Sequence, residues 1–155
     1  MDLIYKKAAL ADLDVLVQTR LEVIRLVWEL PASADMSALD QATRAYYRAG
    51  LADGSHTAYL VYNNDAFAAT GAICYYRLMP TGDNPTGRKA YIMNMYTRPA
   101  YRRQGLAAHV LDLLVQDARS KGITMIALES SAMGRPVYAK YGFAPARDEM
   151  LLNLA

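Results

Sequence analysis

The sequence is poor in residues that form covalent or metal cross-links. Its 155 residues include one cysteine, Cys74, and two histidines. One thiol can form neither an internal disulfide nor a cysteine-based zinc site. This composition predicts a protein of a reducing compartment, the cytoplasm, without a bound metal. Cys74 lies in an apolar run, where a free cysteine usually behaves as a small buried hydrophobic residue.

Strong net charge and long apolar runs are also missing. Seventeen Lys and Arg residues against 15 Asp and Glu residues give a net charge of +2, too little to attract nucleic acid or an anionic membrane. The N-terminus has no charged start followed by a long apolar stretch, and no run of roughly 18 apolar residues occurs. We therefore expect no signal peptide, no membrane partner and no nucleic-acid partner.

Hydrophobic residues, by contrast, make up 54% of the chain, which predicts a single domain over residues 1–155 with its own core. Hydrophobic periodicity and turn residues predict elements in the order β-α-α-β-β-β-α-β-α-β. The segment Ile123–Leu128 is nearly continuously apolar, so we expect a strand buried on both faces. Arg135–Tyr141 is predicted to be a short helix that ends at Gly142, and Glu149–Leu154 is the last predicted strand. The order predicts an α/β fold, a mixed sheet with helices on both faces.

The most informative segment is a junction between a predicted strand, Lys89–Thr97, and a predicted helix, Gly105–Lys121. It reads Tyr101-Arg-Arg-Gln-Gly-Leu-Ala-Ala108. Backbone N–H groups in the first turn of a helix lack intrahelical partners, and together with the helix dipole they attract anions. Gly105 permits a close approach of the backbone, and the two arginines add positive charge. The junction indicates a pyrophosphate site, although a tight turn with two solvated arginines would account for the same residues.

Two other phosphate-binding motifs do not fit the junction. The Gly-x-Gly-x-x-Gly fingerprint of dinucleotide-binding folds and the Gly-Lys-Ser/Thr of a P-loop are both missing. Instead, Arg102-x-x-Gly105-x-Ala107 resembles the Arg/Gln-x-x-Gly-x-Gly/Ala signature of GNAT acetyltransferases. The preceding Asn94–Pro99 is similar to the strand-then-proline segment of that family, Tyr138-x-x-x-Gly-Phe143 to a second family motif, and Lys7–Asp12 to the opening of its first helix. The resemblance covers nearly the whole chain.

The resemblance implies the acyl-CoA N-acyltransferase fold, with a mostly antiparallel twisted sheet. It also implies an N-acetyltransferase that moves an acetyl group directly from acetyl-CoA, its co-substrate, to a primary amine of a small molecule. The strand Lys89–Thr97 would splay from Ile123–Leu128 and leave backbone groups free for the pantetheine arm. The implied coenzyme-binding residues are Met95, Tyr96, Thr97, Arg102, Arg103, Gln104, Gly105, Leu106, Ala107, Ala108 and Ser131.

The catalytic residues follow from the same resemblance. Tyr138 matches the general acid that protonates the departing sulfur, although a helix tyrosine with its hydroxyl in water would look the same. Glu129, at the end of a predicted strand, and Glu22, on the first helix, are candidates for the general base, and a chain of waters suffices if the amine has a low pKa. His56 and His109 have no partner at catalytic or metal spacing and are interpreted as structural or exposed.

Several features depart from the family pattern or leave alternatives open. Arg103 stands where the family often has Gly, and Ser131 stands where it often has Asn. A non-catalytic acyl-CoA sensor, or a nucleic-acid-binding domain using Arg98, Arg102 and Arg103, remains an alternative. We expect the acceptor pocket between the loops 31–40 and 79–88 and the last strand. The sequence leaves the oligomeric state open, with a homodimer as one possibility.

Overall fold

The structure, a computed structural model, describes residues 1–146 and 149–154. Its five strands form one sheet in the order β1-β2-β3-β4-β5, in which neighbours are antiparallel except for the parallel pair β4–β5. Among these residues no helix is long and apolar enough to cross a membrane. In chain order the elements are β1 Leu3–Lys7, α1 Leu13–Val27, α2 Ser37–Asp53, β2 His56–Asn63, β3 Ala66–Arg77, β4 Arg88–Thr97, α3 Leu106–Ser120, β5 Ile126–Leu128 and α4 Arg135–Tyr141.

Helices cover both faces of the sheet. On one face α1 and α2 enclose a core that includes Leu16, Tyr47 and Leu60. On the other face, α3 buries one apolar stripe against β3 and β4, and α4 packs beside it. The stripe recurs at the spacing of a helix face, which is what the sequence periodicity predicted. The predicted α/β architecture, a mixed and mostly antiparallel sheet between helices, is confirmed.

The strands β4 and β5 separate soon after they pair. Their parallel register extends from Ala90 opposite Ile126 to Ile92 opposite Leu128, where β5 ends. Strand β4 continues to Thr97 and stays paired with β3 on its other side. The second half of β4 therefore has an edge without a β5 partner, and unpaired backbone groups of this kind need water or a ligand.

A β-bulge lies in β4 at the start of this gap. The β3–β4 register shifts between Thr70 and Ala72, so that β4 contains one extra residue. Asn94, within the bulge, has a φ of +58°, a conformation that asparagine tolerates better than most residues. Gly71 lies opposite, where a Cβ atom would stand 2.4 Å from Met95 Sδ and 2.6 Å from Val110 Cγ1. The close approach of β3, β4 and α3 thus requires glycine at this position.

We expect the substitution Gly71→Ala to destabilise the protein by about 1–3 kcal/mol, the usual cost of overpacking a core. Its methyl group would displace the side chain of Met95 and press on that of Val110, which lies on α3. Chemical denaturation measures the loss. The matched control is Gly82→Ala, because a Cβ atom at Gly82 meets nothing within 4 Å. Equal stability of the two variants would contradict this account of the bulge.

A buried carboxylate ties α3 to the first strand of the sheet. Asp117, on α3, accepts hydrogen bonds from Lys7 Nζ at 2.6 Å, from Lys121 Nζ at 3.2 Å and from the Tyr75 hydroxyl. Burial alone would raise the pKa of Asp117, but these donors outweigh it and hold the pKa at about 2. The ionised form is therefore favoured in the folded protein.

A folded-state pKa below the ordinary 3.8 contributes stability that is present above that value and lost as the pH falls toward about 2. We expect Asp117→Asn to lower the free energy of unfolding by about 1–2 kcal/mol at neutral pH. The difference from the wild type should shrink as the pH falls from about 5 to about 2, as denaturant titrations would measure. Asp65→Asn, in the exposed β2–β3 turn, is the control. A difference that stays constant with pH would refute the assignment.

Two predicted strands differ from the structure. Of Ile123–Leu128 only Ile126–Leu128 forms β5, the edge strand in the described part of the sheet. Ile126 and Leu128 pack against the α3 core, whereas the side chain of Ala127 points to the other face and is exposed. The predicted strand Glu149–Leu154 is wrong, since these residues have no strand pairing. An apolar segment forms a strand only where a neighbouring strand has a free edge to pair with. The free edge of β5 is three residues long. The side chains of Met150, Leu151, Leu152 and Leu154 are 79–96% exposed.

Candidate active site

The gap beside β4 opens into a cleft of about 700 Å³. One wall is the second half of β4, and the other is the loop before α4 together with α4 itself. The floor is the turn that leads into α3. The lining residues are Met95, Tyr96, Thr97, Pro99, Tyr101, Arg102, Arg103, Gly105, Leu106, Ala107, Ala108, Ser131, Met133, Gly134, Val137 and Tyr138.

The turn at the floor places helix N–H groups on the cleft. Gly105, the N-cap of α3, has a φ of +83°, and no atom lies within 4 Å of where its Cβ would stand. Leu106, Ala107 and Ala108 follow as the first turn of α3, whose N–H groups have no partner within the helix. The positive end of a helix dipole and these free donors make this end of the cleft suited to an anion.

Two arginines flank the turn. Arg102 Nε donates to the Thr97 carbonyl at 3.0 Å, which anchors the turn to the end of β4. Arg103 has a φ of +58°, in the left-handed region that costs a residue other than glycine roughly 1 kcal/mol or more. The position where the sequence carries Arg in place of a frequent Gly is therefore a strained one. Neither guanidinium pairs with a carboxylate in the described residues.

Tyr138 projects from α4 into the wall of the cleft. Its ring packs against the α3 core and makes an edge contact with Phe143, with ring centroids 6.1 Å apart. Burial raises the pKa of Tyr138, so the hydroxyl keeps its proton at neutral pH. Ser131 Oγ accepts a hydrogen bond from the Gly134 N–H at 3.1 Å, which leaves the serine hydroxyl hydrogen free to donate. The lining of the cleft thus includes the protonated phenol of Tyr138 and the hydroxyl donor of Ser131.

The structure brings together all the site residues predicted from the sequence except two. Gln104 is exposed and donates to the Ala100 carbonyl at 3.2 Å, away from the cleft lining. Glu129 is exposed just beyond β5 and does not line the cleft. Burial, and then the charges of Glu129 and Glu149, raise the pKa of Tyr91. Glu129 therefore lies beside Tyr91 rather than beside Tyr138.

The other candidate base is engaged elsewhere. Glu22 forms a two-pronged ion pair with Arg98, whose Nη2 lies 3.1 Å and 3.0 Å from its two carboxylate oxygens. Arg98 also donates to the Phe67 carbonyl and lies over the Phe67 ring. The pair fixes α1 to the end of β4. It also weakens the nucleic-acid alternative, because one of the three arginines that this alternative requires is already paired.

A second cavity, of about 530 Å³, lies on the other face of the sheet between α1, α2 and the strands. We call it the helical cavity. Its lining includes apolar side chains from α2, β3 and β4, and one charged residue, Arg20 of α1. Arg20 Nη1 donates to Asn94 Oδ1 at 3.1 Å. The bulge residue Asn94 thus borders the helical cavity, while the next residue, Met95, lines the cleft.

A cluster of three side chains forms the far wall of the helical cavity. The Tyr46 hydroxyl lies 3.0 Å from both His56 Nδ1 and Cys74 Sγ. Burial, and next the positive charge of Arg20, lower the pKa of His56 to about 4, so the imidazole is neutral near pH 7. Burial raises the pKa of the Cys74 thiol and keeps it protonated. The cluster therefore supplies neither a strong base nor a thiolate.

Sequence reasoning missed the helical cavity. Arg20 and Asn94 are 74 positions apart, and one sequence contains no signal that pairs them. His56 is buried at the start of β2, and His109 stacks against Tyr5 with ring centroids 4.1 Å apart. Among residues 1–146 and 149–154, no group of three or more His, Cys, Asp and Glu side chains could hold a metal ion.

Comparisons with known proteins agree on one family. A model of the acetyltransferase (GNAT) family matches residues 21–143. A predicted acetyltransferase from Clostridium acetobutylicum, solved with acetyl-CoA, is 36% identical over 99% of this chain and 97% of its own, with a TM-score of 0.89. A GCN5-related N-acetyltransferase from Ralstonia eutropha is 22% identical over 99% and 100%, with a TM-score of 0.82.

Below 25% identity, as for the Ralstonia protein, the likeness is one of fold alone. Glucosamine-6-phosphate N-acetyltransferase from Arabidopsis thaliana is 17% identical over the full length of both chains, with a TM-score of 0.71. A comparison with curated proteins gave no match.

Proposed function

Since the chain belongs to the GNAT family of acetyltransferases, we propose that it transfers the acetyl group of acetyl-CoA directly to a primary amine of a small molecule. The observation that carries the proposal is the cleft itself. An unpaired strand edge leads from the left-handed N-cap Gly105 to a protonated tyrosine, Tyr138. These are the three features that a phosphate-bearing thioester requires: anion donors, backbone partners along an extended arm, and an acid near the sulfur.

Each part of acetyl-CoA has residues suited to it. The first turn of α3 would hold the pyrophosphate, with Arg102 and Arg103 adding charge at the rim. The free edge of β4 at Met95, Tyr96 and Thr97 would pair with the amides of the pantetheine arm. Acetyl-CoA supplies an activated thioester. The protein supplies its alignment against the amine, which can account for a large part of an enzymatic rate.

The chemistry then needs one proton donor and one route for proton loss. The amine nitrogen forms a bond to the thioester carbonyl carbon, and the carbon–sulfur bond breaks. The Tyr138 hydroxyl donates a proton to the departing sulfur. The amine loses its own proton to water, because no carboxylate is among the described residues that line either cavity.

We place the amine acceptor in the helical cavity. It adjoins the cleft at the β4 bulge, so an amine there would face the acetyl end of the coenzyme across Asn94 and Met95. The sequence pointed instead to the loops 31–40 and 79–88 and the last strand as its walls. Of these segments only Leu39, which belongs to α2, lines the helical cavity.

Acetyl-CoA turnover with a panel of amines, followed by release of the free thiol, tests the proposed function. We expect saturable thiol release that depends on both substrates, together with a product heavier by one acetyl group. A non-catalytic sensor would bind acetyl-CoA tightly and release no thiol with any amine. Binding without turnover across a panel of amino acids, alkylamines, arylamines and aminoglycosides would overturn the proposal in favour of the sensor.

A further inference from the structure

Arg20 is the one charged side chain among the described residues that line the helical cavity. One of its guanidinium nitrogens donates a hydrogen bond to Asn94 Oδ1. The side chain forms no ion pair with an Asp or Glu in the described part of the chain. The two acidic residues of α1 behave differently. Asp14 pairs with Arg44, and Glu22 pairs with Arg98. Arg20 is thus a half-buried cation that has no ion-pair partner among the described residues.

The charge of Arg20 acts inside the helical cavity. Burial raises the pKa of Tyr47 to about 12 and also raises that of Cys74, and the positive charge of Arg20 opposes both shifts. The same charge adds to the effect of burial on His56. Three groups on three elements therefore feel this guanidinium, which locates it at the cavity and not in the surrounding solvent.

The rest of the lining is apolar or uncharged. Leu39 and Tyr47 come from α2, Ala72 from β3 and Met93 from β4. Such walls suit a ligand whose main part is apolar. A guanidinium binds a carboxylate best, because its N–H donors match the two carboxylate oxygens. The volume of about 530 Å³ is that of an ordinary small-molecule site.

From this arrangement, and resting on the proposed function, we infer that the acetyl acceptor is an amine that carries a carboxylate, namely an amino acid with an apolar side chain, and that Arg20 binds the carboxylate. Arg20 is then a specificity-determining residue that touches the acceptor. Its bond to Asn94 holds the bound carboxylate at a fixed place relative to the bulge.

This pairing would also help the reaction. In a free amino acid, the carboxylate stabilises the neighbouring ammonium group, which keeps the amine protonated and unreactive. A carboxylate neutralised by Arg20 loses that effect, so the pKa of the amine falls toward the value of about 8 that is typical of an α-amino group without a neighbouring carboxylate. An acceptor of this kind needs no strong base, and the lining of the two cavities offers none.

Matched ligand pairs test the inference without relying on turnover. L-Phenylalanine against phenethylamine and L-leucine against isoamylamine differ only in the carboxylate. Calorimetric titration of the CoA-bound protein should show each amino acid binding at least about tenfold more tightly than its amine, the effect of one or two hydrogen bonds to a charged group. Equal binding within a pair, or binding of the amines alone, would overturn the inference.

Variants separate a binding role of Arg20 from a structural one. Arg20→Gln should remove the preference for the amino acid while leaving amine binding and CoA binding within about threefold of wild type. Arg20→Lys should retain part of the preference, and Arg48→Gln, on the exposed side of α2, should retain all of it. If Arg20→Gln weakens both members of a pair equally, Arg20 only supports the bulge and the inference is wrong.

The inference and the proposed function fail in different ways. Acetyl transfer to amines and amino acids with equal kcat/KM would overturn the carboxylate inference and leave the acetyltransferase in place. Preferential binding of amino acids that depends on Arg20, with no acetyl transfer to any of them, would leave the carboxylate site in place and overturn the acetyltransferase.

Discussion

The variant Tyr138→Phe should lower kcat by about a hundredfold while leaving the affinity for acetyl-CoA nearly unchanged. The substitution removes the phenolic proton but keeps the ring that packs against the α3 core and Phe143. A general acid contributes about a hundredfold or more, and it acts only in the transition state. The loss should therefore appear in kcat and not in the KM for acetyl-CoA.

Steady-state kinetics with any accepted amine, under conditions in which the chemical step limits the rate, decides the role of Tyr138. The matched control is Tyr141→Phe on the same helix. The Tyr141 hydroxyl donates to Asp112 at 2.7 Å, outside the cleft, so its loss should leave kcat within about twofold. If Tyr138→Phe behaves like this control, the phenol is not the acid, and sulfur release relies on water.

The variant Gly105→Glu should weaken CoA binding by one to two orders of magnitude, about 1.4 to 2.7 kcal/mol. The new side chain would extend into the open space beside the first turn of α3, where the phosphates are expected, and two negative charges would meet. The left-handed φ of +83° adds strain of roughly 1 kcal/mol to the folded state. Calorimetry with CoA measures the affinity, and circular dichroism reports whether the variant folds.

A control at the opposite end of α3 isolates the charge effect. Gly122 also has a positive φ, +71°, and no atom within 4 Å of its Cβ position. Gly122→Glu therefore introduces the same side chain and similar backbone strain away from the cleft, and CoA binding should be unchanged. Equal loss of affinity in both variants would show that backbone strain, and not the position of the phosphates, determines the result.

The features that were predicted best are those formed by residues close together in the sequence. The apolar stripe of α3 and the junction around Gly105 are contiguous, so periodicity and one short motif were enough to locate them. The short α4 was also predicted with its observed bounds, and Gly142 ends it. These elements carry most of the residues that line the cleft.

What the sequence did not reveal depends on pairing across the fold. Glu129 was a reasonable base by its place after a strand, but the side on which a residue beyond a strand end lies is decided by tertiary packing. The tail 149–154 has the composition of a strand but forms none, because composition does not show whether a strand edge is available for pairing. The place of Arg20 beside the helical cavity was not predicted, because its contact with Asn94 joins residues far apart in the sequence.

Under the proposed function, the bulge in β4 divides the strand into two stretches that would contact different molecules. Met93 and Asn94 line the helical cavity, and Met95, Tyr96 and Thr97 line the cleft. Selection can therefore act on α1, α2 and the first stretch of β4 while the second stretch and the α3 turn stay fixed. A few substitutions in these elements would then change which amine is accepted while acetyl-CoA remains the donor. The bulge in β4 thus separates the site proposed for the acetyl donor from the site proposed for the acceptor, so that the second can change without the first.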